Sequence, residues 1–455
     1  MVADLFFVFL YKNLCQPKKG PQITKLLKLV RELSCMIGVL GAGLAGLSAS
    51  LHLKREHLVF EKESEPGGLC NSKLVNGYQF DYGPHIFFTR DEYVTKLITE
   101  KINSQGNRMI TKDRKAFIFF DGKYVEYPFE ANLKPLSDSI KRECIDGLKS
   151  RSSKQPSNFM EWIDVTFGSG IARHYMVPYN EKVWKYPLEK MDIKWIAGRV
   201  PAPDVKEIEA GAYGEQKKSF GPNAVFSYPL SGGMGAIARV FPSDKVKTSS
   251  AVEEVKKTSD GVSVLSGGKT YKFEKVISTL PLPEIVRMTD APSEVALAAE
   301  KLIYNSLFCV NIGVKRQAIS DLHWVYFPQK QYIFNRISFP MNFSPGTAPK
   351  GRSSILTEVT FRGKREGEDF YKAEVIRGLT EAGILLEKDE LEVVDTAWFK
   401  YAYVVYDLDH EENVKTIHRF LRENSIIPAG RFGEWEYINM DKSILSGKKA
   451  AEEVG

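Results

Sequence analysis

The apolar positions along this chain change period several times, and each change marks an element. Met36-Ile37-Gly38-Val39-Leu40 is a short apolar run of the kind a buried strand needs, and helical spacing follows from Leu44 to about Leu53. Leu58-Val59-Phe60 then predicts a second strand. Ala116–Phe120 and Lys123–Phe129 flank Asp121-Gly122, which predicts a hairpin. Residues 137–195 carry helical patterning, broken by the polar stretch from Lys149 to Ser157. Segments 250–280 and 305–360 alternate apolar and polar residues as strands do, with Asp260-Gly261 and Gly267-Gly268 as turns. Val276-Ile277-Ser278-Thr279-Leu280 predicts a strand that Pro281 ends. Ser443 through Ala451 predicts a terminal helix bearing the small residues Ser446, Gly447, Ala450 and Ala451. No internal repeat or low-complexity tract interrupts this order.

Residues 1–35 obey a different pattern. Leu5-Phe6-Phe7-Val8-Phe9-Leu10 is an apolar run, and Ile23, Leu26, Leu27, Val30 and Leu33 recur at helical spacing beside Lys25, Lys28 and Arg31. Two readings remain open: a membrane-surface contact, or a dispensable or misassigned leader with Met36 as the working start. Asp4 in place of a basic start argues against a secretory signal.

Composition narrows the class. The chain has 455 residues, 43% apolar and 26% charged, which suits a globular protein of roughly two to four structural units and excludes a disordered or collagen-like chain. No apolar run approaches the roughly 18 residues of a spanning helix. Cys15, Cys35, Cys70, Cys144 and Cys309 are odd in number, widely spaced and without a C-x-x-C pair, so the expectation is reduced thiols in a cytoplasmic protein. Seven histidines show no ligand spacing, and no metal site is expected. The formal charge is +6, but residues 1–35 hold six basic and two acidic side chains, leaving 57 against 55 in the other 420. That near-neutral body makes nucleic acid an unexpected partner.

Chemistry enters at Gly41-Ala42-Gly43-Leu44-Ala45-Gly46, a G-x-G-x-x-G between predicted strand and helix, with Glu61 twenty residues after Gly41 at the second strand's end. The first glycine permits a tight turn, the second lets backbone approach a pyrophosphate, and the third lets helix and strand pack closely. The helix N-terminus stabilises phosphate charge, and a carboxylate at the strand end accepts hydrogen bonds from ribose hydroxyls. These features together predict a dinucleotide site. Gly233-Met234-Gly235-Ala236-Ile237-Ala238 has similar spacing, with Glu253 twenty residues on, but Pro229 just before it argues against a central parallel strand. One dinucleotide is therefore expected. The loops Pro66-Gly67-Gly68-Leu69 and Asp81-Tyr82-Gly83-Pro84-His85, with a terminal helix returning to the cofactor, suit FAD better than NAD.

The fingerprint, Glu61, the Gly67-Gly68 pair and Gly430-Arg431 resemble the flavin amine oxidase and protoporphyrinogen oxidase superfamily. Longer stretches resemble one branch, the eukaryotic-type UDP-galactopyranose mutases. They are Gly168-Ser169-Gly170-Ile171-Ala172, Pro178-Tyr179-Asn180-Glu181-Lys182-Val183-Trp184, Gly198-Arg199-Val200-Pro201-Ala202-Pro203 and Gly221-Pro222-Asn223-Ala224. Trp324-Val325-Tyr326-Phe327-Pro328 and Gly430-Arg431-Phe432-Gly433-Glu434-Trp435-Glu436-Tyr437 complete the set. The resemblance implies a mixed α/β (α+β) fold. A Rossmann-type FAD-binding domain would be assembled from 36–90, 206–290 and 426–455. A small helical substrate domain would span 91–205 with the 116–129 hairpin, and a mostly antiparallel β-sheet domain 291–425.

It also implies an isomerase interconverting UDP-galactopyranose and UDP-galactofuranose, in which N5 of reduced FAD attacks the anomeric carbon and UDP leaves. The alternative is an FAD-dependent oxidoreductase of the protoporphyrinogen oxidase or amine oxidase type. By the resemblance, Arg199 and Arg336 meet the pyrophosphate, whose charge suits guanidinium forks, and His85 faces the flavin. Tyr403 and Tyr437 would donate hydroxyls to phosphate, and Asn180, Trp184, Asn223 and Tyr326 would line the sugar-nucleotide pocket. The cofactor would be held by Gly41, Gly43, Leu44, Ala45, Gly46, Glu61, Lys62, Gly68, Leu69, Gly83, His85, Val252, Gly430, Arg431, Asn439, Met440, Asp441 and Ser443. The implied partners are a UDP-sugar and a reductant such as NAD(P)H, bound without a second Rossmann fingerprint.

Overall fold

The computed structural model describes residues 36–196, 200, 203–214 and 224–455. Strand Ile37–Leu40 is wholly buried, with His57–Phe60 parallel on one side and Lys275–Ser278 parallel on the other. Val246–Lys247 and Ile426–Pro428 extend this to a five-stranded parallel sheet. A parallel strand covered on both faces is apolar along its length, which is why the central strand Ile37–Leu40 reads as an unbroken hydrophobic run. The predicted strand at 276–280 is the one that returns to pair with Ile37–Leu40.

Helices Leu44–His52 and Met440–Val454 pack on each other. A Cβ at Gly447 would lie 2.0 Å from the Ala45 carbonyl oxygen, so only the small residues of the terminal helix permit this approach. That helix is longer than the predicted 443–451. Asn439 is its N-cap residue, and Asp441 falls in its first turn instead of before it.

A seven-stranded sheet forms the second layer, in the order Leu391–Val405, Ile303–Val314, Ser353–Phe361, Arg336–Ser338, Trp324–Tyr326, Ala116–Phe120, Lys123–Glu126. Every pairing is antiparallel except that of Trp324–Tyr326 with Ala116–Phe120. The predicted hairpin therefore extends this sheet. Its second strand stops at Glu126, short of the predicted Phe129, because Pro128 cannot donate to a ladder and Phe129–Ala131 turns into a 3-10 helix. Within 305–360, Pro340–Phe343 and Pro345–Thr347 are likewise helical turns between strands.

Helices Asp138–Lys149, Phe159–Ile171, Val177–Trp184 and Val205–Tyr213 form a helical layer with its own core around Phe159, Ile163, Phe167 and Trp195. Val205–Tyr213 sits against Phe129–Ala131, where a Cβ on Gly211 would come within 1.8 Å of the Ala131 carbonyl oxygen. Among the described residues no helix is long and apolar enough to cross a membrane, and no group of three metal-binding side chains converges.

Candidate active site

The glycine fingerprint occupies the turn between Ile37–Leu40 and Leu44–His52, and its three glycines differ in the space around them. Gly41 has φ +92°, and a Cβ there would strike Thr279 Oγ1 at 2.4 Å. Gly46 would collide with the Gly41 carbonyl oxygen at 1.9 Å, whereas Gly43 has nothing within 4 Å. The open ground over Gly43, at the N-terminus of a nine-residue helix that starts at Leu44-Ala45, fits a pyrophosphate. Glu61 is buried at the end of His57–Phe60. Its carboxylate accepts from the Ala42 N–H at 2.8 Å and the Glu63 N–H at 3.0 Å.

The surrounding loops close on this cradle. Gly67 N–H donates to the Ala42 carbonyl at 2.8 Å, and a Cβ on Gly68 would lie 3.1 Å from the Gly43 Cα, with half-buried Leu69 following. Ser250 N–H donates to the Glu61 backbone carbonyl at 2.7 Å, two residues before Val252 starts the next strand. Gly430 N–H donates to Ser446 Oγ at 2.7 Å, and a Cβ on it would meet the Ala45 Cβ at 2.5 Å. At the start of the terminal helix, Ser443 Oγ donates to the Asn439 carbonyl, Asp441 accepts from Thr89 Oγ1 at 3.0 Å, and Met440 Sδ lies 3.6 Å from Cys70 Sγ. Lys62 differs from these: it is exposed and pairs with Glu63 at 3.4 Å. The second glycine cluster has no such room, since a Cβ on Gly233 would strike Ser72 Oγ at 2.5 Å and Asp81 Oδ1 at 2.6 Å. Its preceding strand, Val225–Pro229, pairs antiparallel with Met109–Asp113.

A second group of side chains converges from the sheet, the helical layer and the C-terminal segment. Trp184 packs edge-on to Tyr437 (centroids 5.8 Å), Tyr403 (6.2 Å) and Trp195 (4.7 Å). The Arg431 guanidinium lies 4.5 Å over the Tyr437 ring and 5.8 Å from that of Tyr403. Arg336 stands 6.0 Å over the Tyr326 ring and binds the buried Glu358 carboxylate through Nε. Tyr403 OH donates to the other Glu358 oxygen at 3.1 Å. Glu358 thus orients both groups, engaging Arg336 through Nε and Tyr403 through its hydroxyl. Burial works against the Arg336 charge, but Glu358 outweighs it and holds the guanidinium well above its ordinary pKa.

His85 faces the same two arginines. Burial, then Arg431 and Arg336, push its pKa down to about 4 against the opposing hydrogen bond to the Gly83 carbonyl at 3.0 Å. The imidazole is therefore neutral near pH 7. Gly83 has φ +81° and is buried.

Asn180 and Trp184 lie one turn apart on helix Val177–Trp184, and Asn180 is used within the helix. Its Nδ2 donates to the Met176 carbonyl at 2.7 Å and its Oδ1 accepts from Trp184 Nε1 at 3.0 Å, so it orients the indole. Arg199 and Asn223 lie outside the described residues. Glu358, Trp195 and Tyr179 are central here and were missed. Glu358 had a signal: it is the one charged residue in Ser353–Phe361, whose burial is otherwise that of a core strand.

A parallel sheet whose glycine turn leaves room for a phosphate at a helix N-terminus fits the class of nucleotide-cofactor-binding folds. Residues 44–455 match the flavin containing amine oxidoreductases, and the chain belongs to that family. It therefore has a flavin cofactor, which the cradle fits. Its fold is similar to that of a reduced UDP-galactopyranose mutase (TM-score 0.86, 27% identity, 92% of this chain and 95% of that one). It is also similar to that of a protein from Exiguobacterium assigned as a protoporphyrinogen oxidase (TM-score 0.73, 16% identity, 92% and 98%). Curated relatives match over shorter stretches. Coproporphyrinogen III oxidase of Staphylococcus aureus is 27% identical over 97 residues, 20% of this chain, and the zeta-carotene-forming phytoene desaturase of Myxococcus xanthus 45% over 76, 16% of this chain. Those stretches span only 21% and 14% of the two relatives' own lengths.

Proposed function

We propose that this flavoenzyme is an FAD-dependent UDP-galactopyranose mutase, interconverting the six- and five-membered ring forms of UDP-galactose. The observation that carries this reading is the Arg336–Glu358–Tyr403 arrangement within aromatic walls. A guanidinium oriented by a buried carboxylate presents a planar donor pair suited to a diphosphate, and a tyrosine hydroxyl adds a donor without adding charge. The likeness to a reduced UDP-galactopyranose mutase over nearly the whole chain supports it. Bound reduced FAD would supply the nucleophile, its N5, so the protein needs no nucleophilic side chain of its own.

What the protein contributes is position and field. Arg336 and Tyr437 would hold the departing diphosphate, with Arg199 as a further donor. Trp184, Tyr326 and Tyr403 would exclude water and fix the nucleotide sugar. Neutral His85, whose Nδ1–H is donated to the Gly83 carbonyl, would present its Nε2 lone pair toward the flavin without adding charge beside Arg431. The FAD domain would comprise 36–90, 206–290 apart from helix Val205–Tyr213, which packs in the helical layer, and 426–455, and an NAD(P)H-type donor would reduce the flavin.

The test is the purified yellow protein, reduced with dithionite and supplied with UDP-galactofuranose. Formation of UDP-galactopyranose is expected with reduced flavin and not with oxidised flavin. No conversion by fully reduced protein would overturn the reading, and oxygen-coupled oxidation of an amine or porphyrinogen would establish the oxidoreductase alternative.

A further inference from the structure

The segment from Gly430 to Ile438 carries Arg431 and Tyr437, and its backbone is unusual. Trp435 is fully buried yet has φ +56°, a conformation that a bulky side chain rarely adopts. Such a residue persists only where its surroundings over-determine it, and such sites cluster where strain serves function. The surroundings here are specific. His410, buried on helix His410–Glu423, donates from Nε2 to the Trp435 carbonyl at 2.9 Å. His418, two turns further along the same helix, donates from Nε2 to the Gly433 carbonyl at 3.1 Å. A carbonyl can only accept, so each ring must carry its proton on Nε2. The His410 ring stacks on Tyr406 (centroids 4.1 Å, 20° between planes), and the Tyr406 hydroxyl accepts from the Tyr437 N–H at 2.9 Å. From within the segment, Arg431 reaches back to the Ile438 carbonyl at 3.0 Å.

We propose that His410, His418 and Tyr406 are positioning residues. They clamp the strained turn at Trp435 through its backbone, and so fix the ring of Tyr437 and the guanidinium of Arg431 against Trp184 and Tyr403. His410 and His418 reach the Trp435 and Gly433 carbonyls and Tyr406 reaches the Tyr437 N–H, so each of these contacts acts through the backbone of 433–437. Burial keeps both imidazoles below their usual pKa range, consistent with neutral donors. The substrate consequence rests on the mutase reading; the clamp itself does not.

The experiment uses the full-length FAD-loaded protein and two readouts, hydrogen–deuterium exchange over residues 433–438 and affinity for UDP. His410→Leu removes the donor; His410→Gln keeps one, because the glutamine amide nitrogen reaches the place of Nε2. His418→Leu tests the second contact. Expected are faster exchange at 433–438 in both leucine variants, about tenfold weaker UDP binding with FAD content unchanged, and recovery of both in His410→Gln. Unchanged exchange in the His410→Leu/His418→Leu double variant would overturn the clamp. So would equal losses in His410→Gln and His410→Leu, which would mark a packing role only. A wild-type protein that fails to bind UDP would overturn the mutase reading, while the exchange comparison would still decide the clamp.

Discussion

At the scale of single residues, the three fingerprint glycines separate binding from folding. Gly46→Ala would force a methyl into the Gly41 carbonyl oxygen at 1.9 Å, so it should cost about 3 kcal/mol of stability through overpacking. Gly43→Ala enters open space and should leave the melting temperature within a few degrees, yet the purified protein should lose its flavin absorbance. A Gly43→Ala protein that stays yellow would place the pyrophosphate elsewhere. Arg336 and Glu358 separate in the same way. Arg336→Ala strands a buried carboxylate and should cost about 3 kcal/mol, the lower end for a buried pair because the Arg336 side chain remains 23% exposed. Adding Glu358→Gln should restore much of that stability but none of the UDP affinity, as measured by calorimetry on FAD-loaded protein. The glycines and Glu61 were legible because a cofactor's phosphates impose one spacing on the chain. Glu358 was not, because its partner Arg336 becomes its neighbour only when Arg336–Ser338 pairs with Ser353–Phe361.

Among elements, Phe129–Ala131 makes a pH prediction. Glu130 is buried there, and burial pushes its carboxyl up to about 8, only partly offset by its own backbone N–H. Because the folded value lies above the unfolded one near 4.5, the unfolded chain gives up its proton first, and stability falls as pH rises from about 4.5 through 8. Glu130→Gln lacks that proton, so its melting temperature relative to wild type should climb across that window and level off above it. A difference that stays flat between pH 5 and about 8 would show the carboxyl to be ionised throughout. Helix Val177–Trp184 makes the complementary point about legibility. The helical patterning over 137–195 predicted it, but what holds it is remote. Lys182 Nζ donates to the Phe327 and Gln329 carbonyls at 2.8 Å each, and Asn305 Nδ2 caps the Val183 and Trp184 carbonyls at 2.8 and 2.5 Å. Local periodicity reports the helix; only the sheet reports where it points.

For the whole molecule, the three central strands of the parallel sheet were readable from their apolar runs, whereas its edge strands Val246–Lys247 and Ile426–Pro428 were not, because two or three residues carry no period and their partners are remote in sequence. Membership of the seven-stranded sheet was not readable either, since the 116–126 hairpin joins it through a parallel pairing with Trp324–Tyr326 more than 200 residues away. Charge also takes on meaning at this scale. Of the formal +6, residues 1–35 contribute +4, and the body that carries the cradle and the arginine site is close to neutral. Binding of an anionic nucleotide would therefore rest on a few placed guanidinium groups and little on a general positive field. The strand Ile37–Leu40 pairs from its first residue, Ile37 meeting both His57 and Lys275. A protein starting at Met36 should accordingly keep its flavin, its melting temperature and its UDP affinity. Sedimentation with anionic lipid vesicles separates the two readings of the leader. Full-length protein that pellets while the shortened form stays in the supernatant would establish a membrane-surface contact; identical behaviour would leave residues 1–35 outside that role. Loss of flavin on shortening would instead make the leader part of the enzyme's fold.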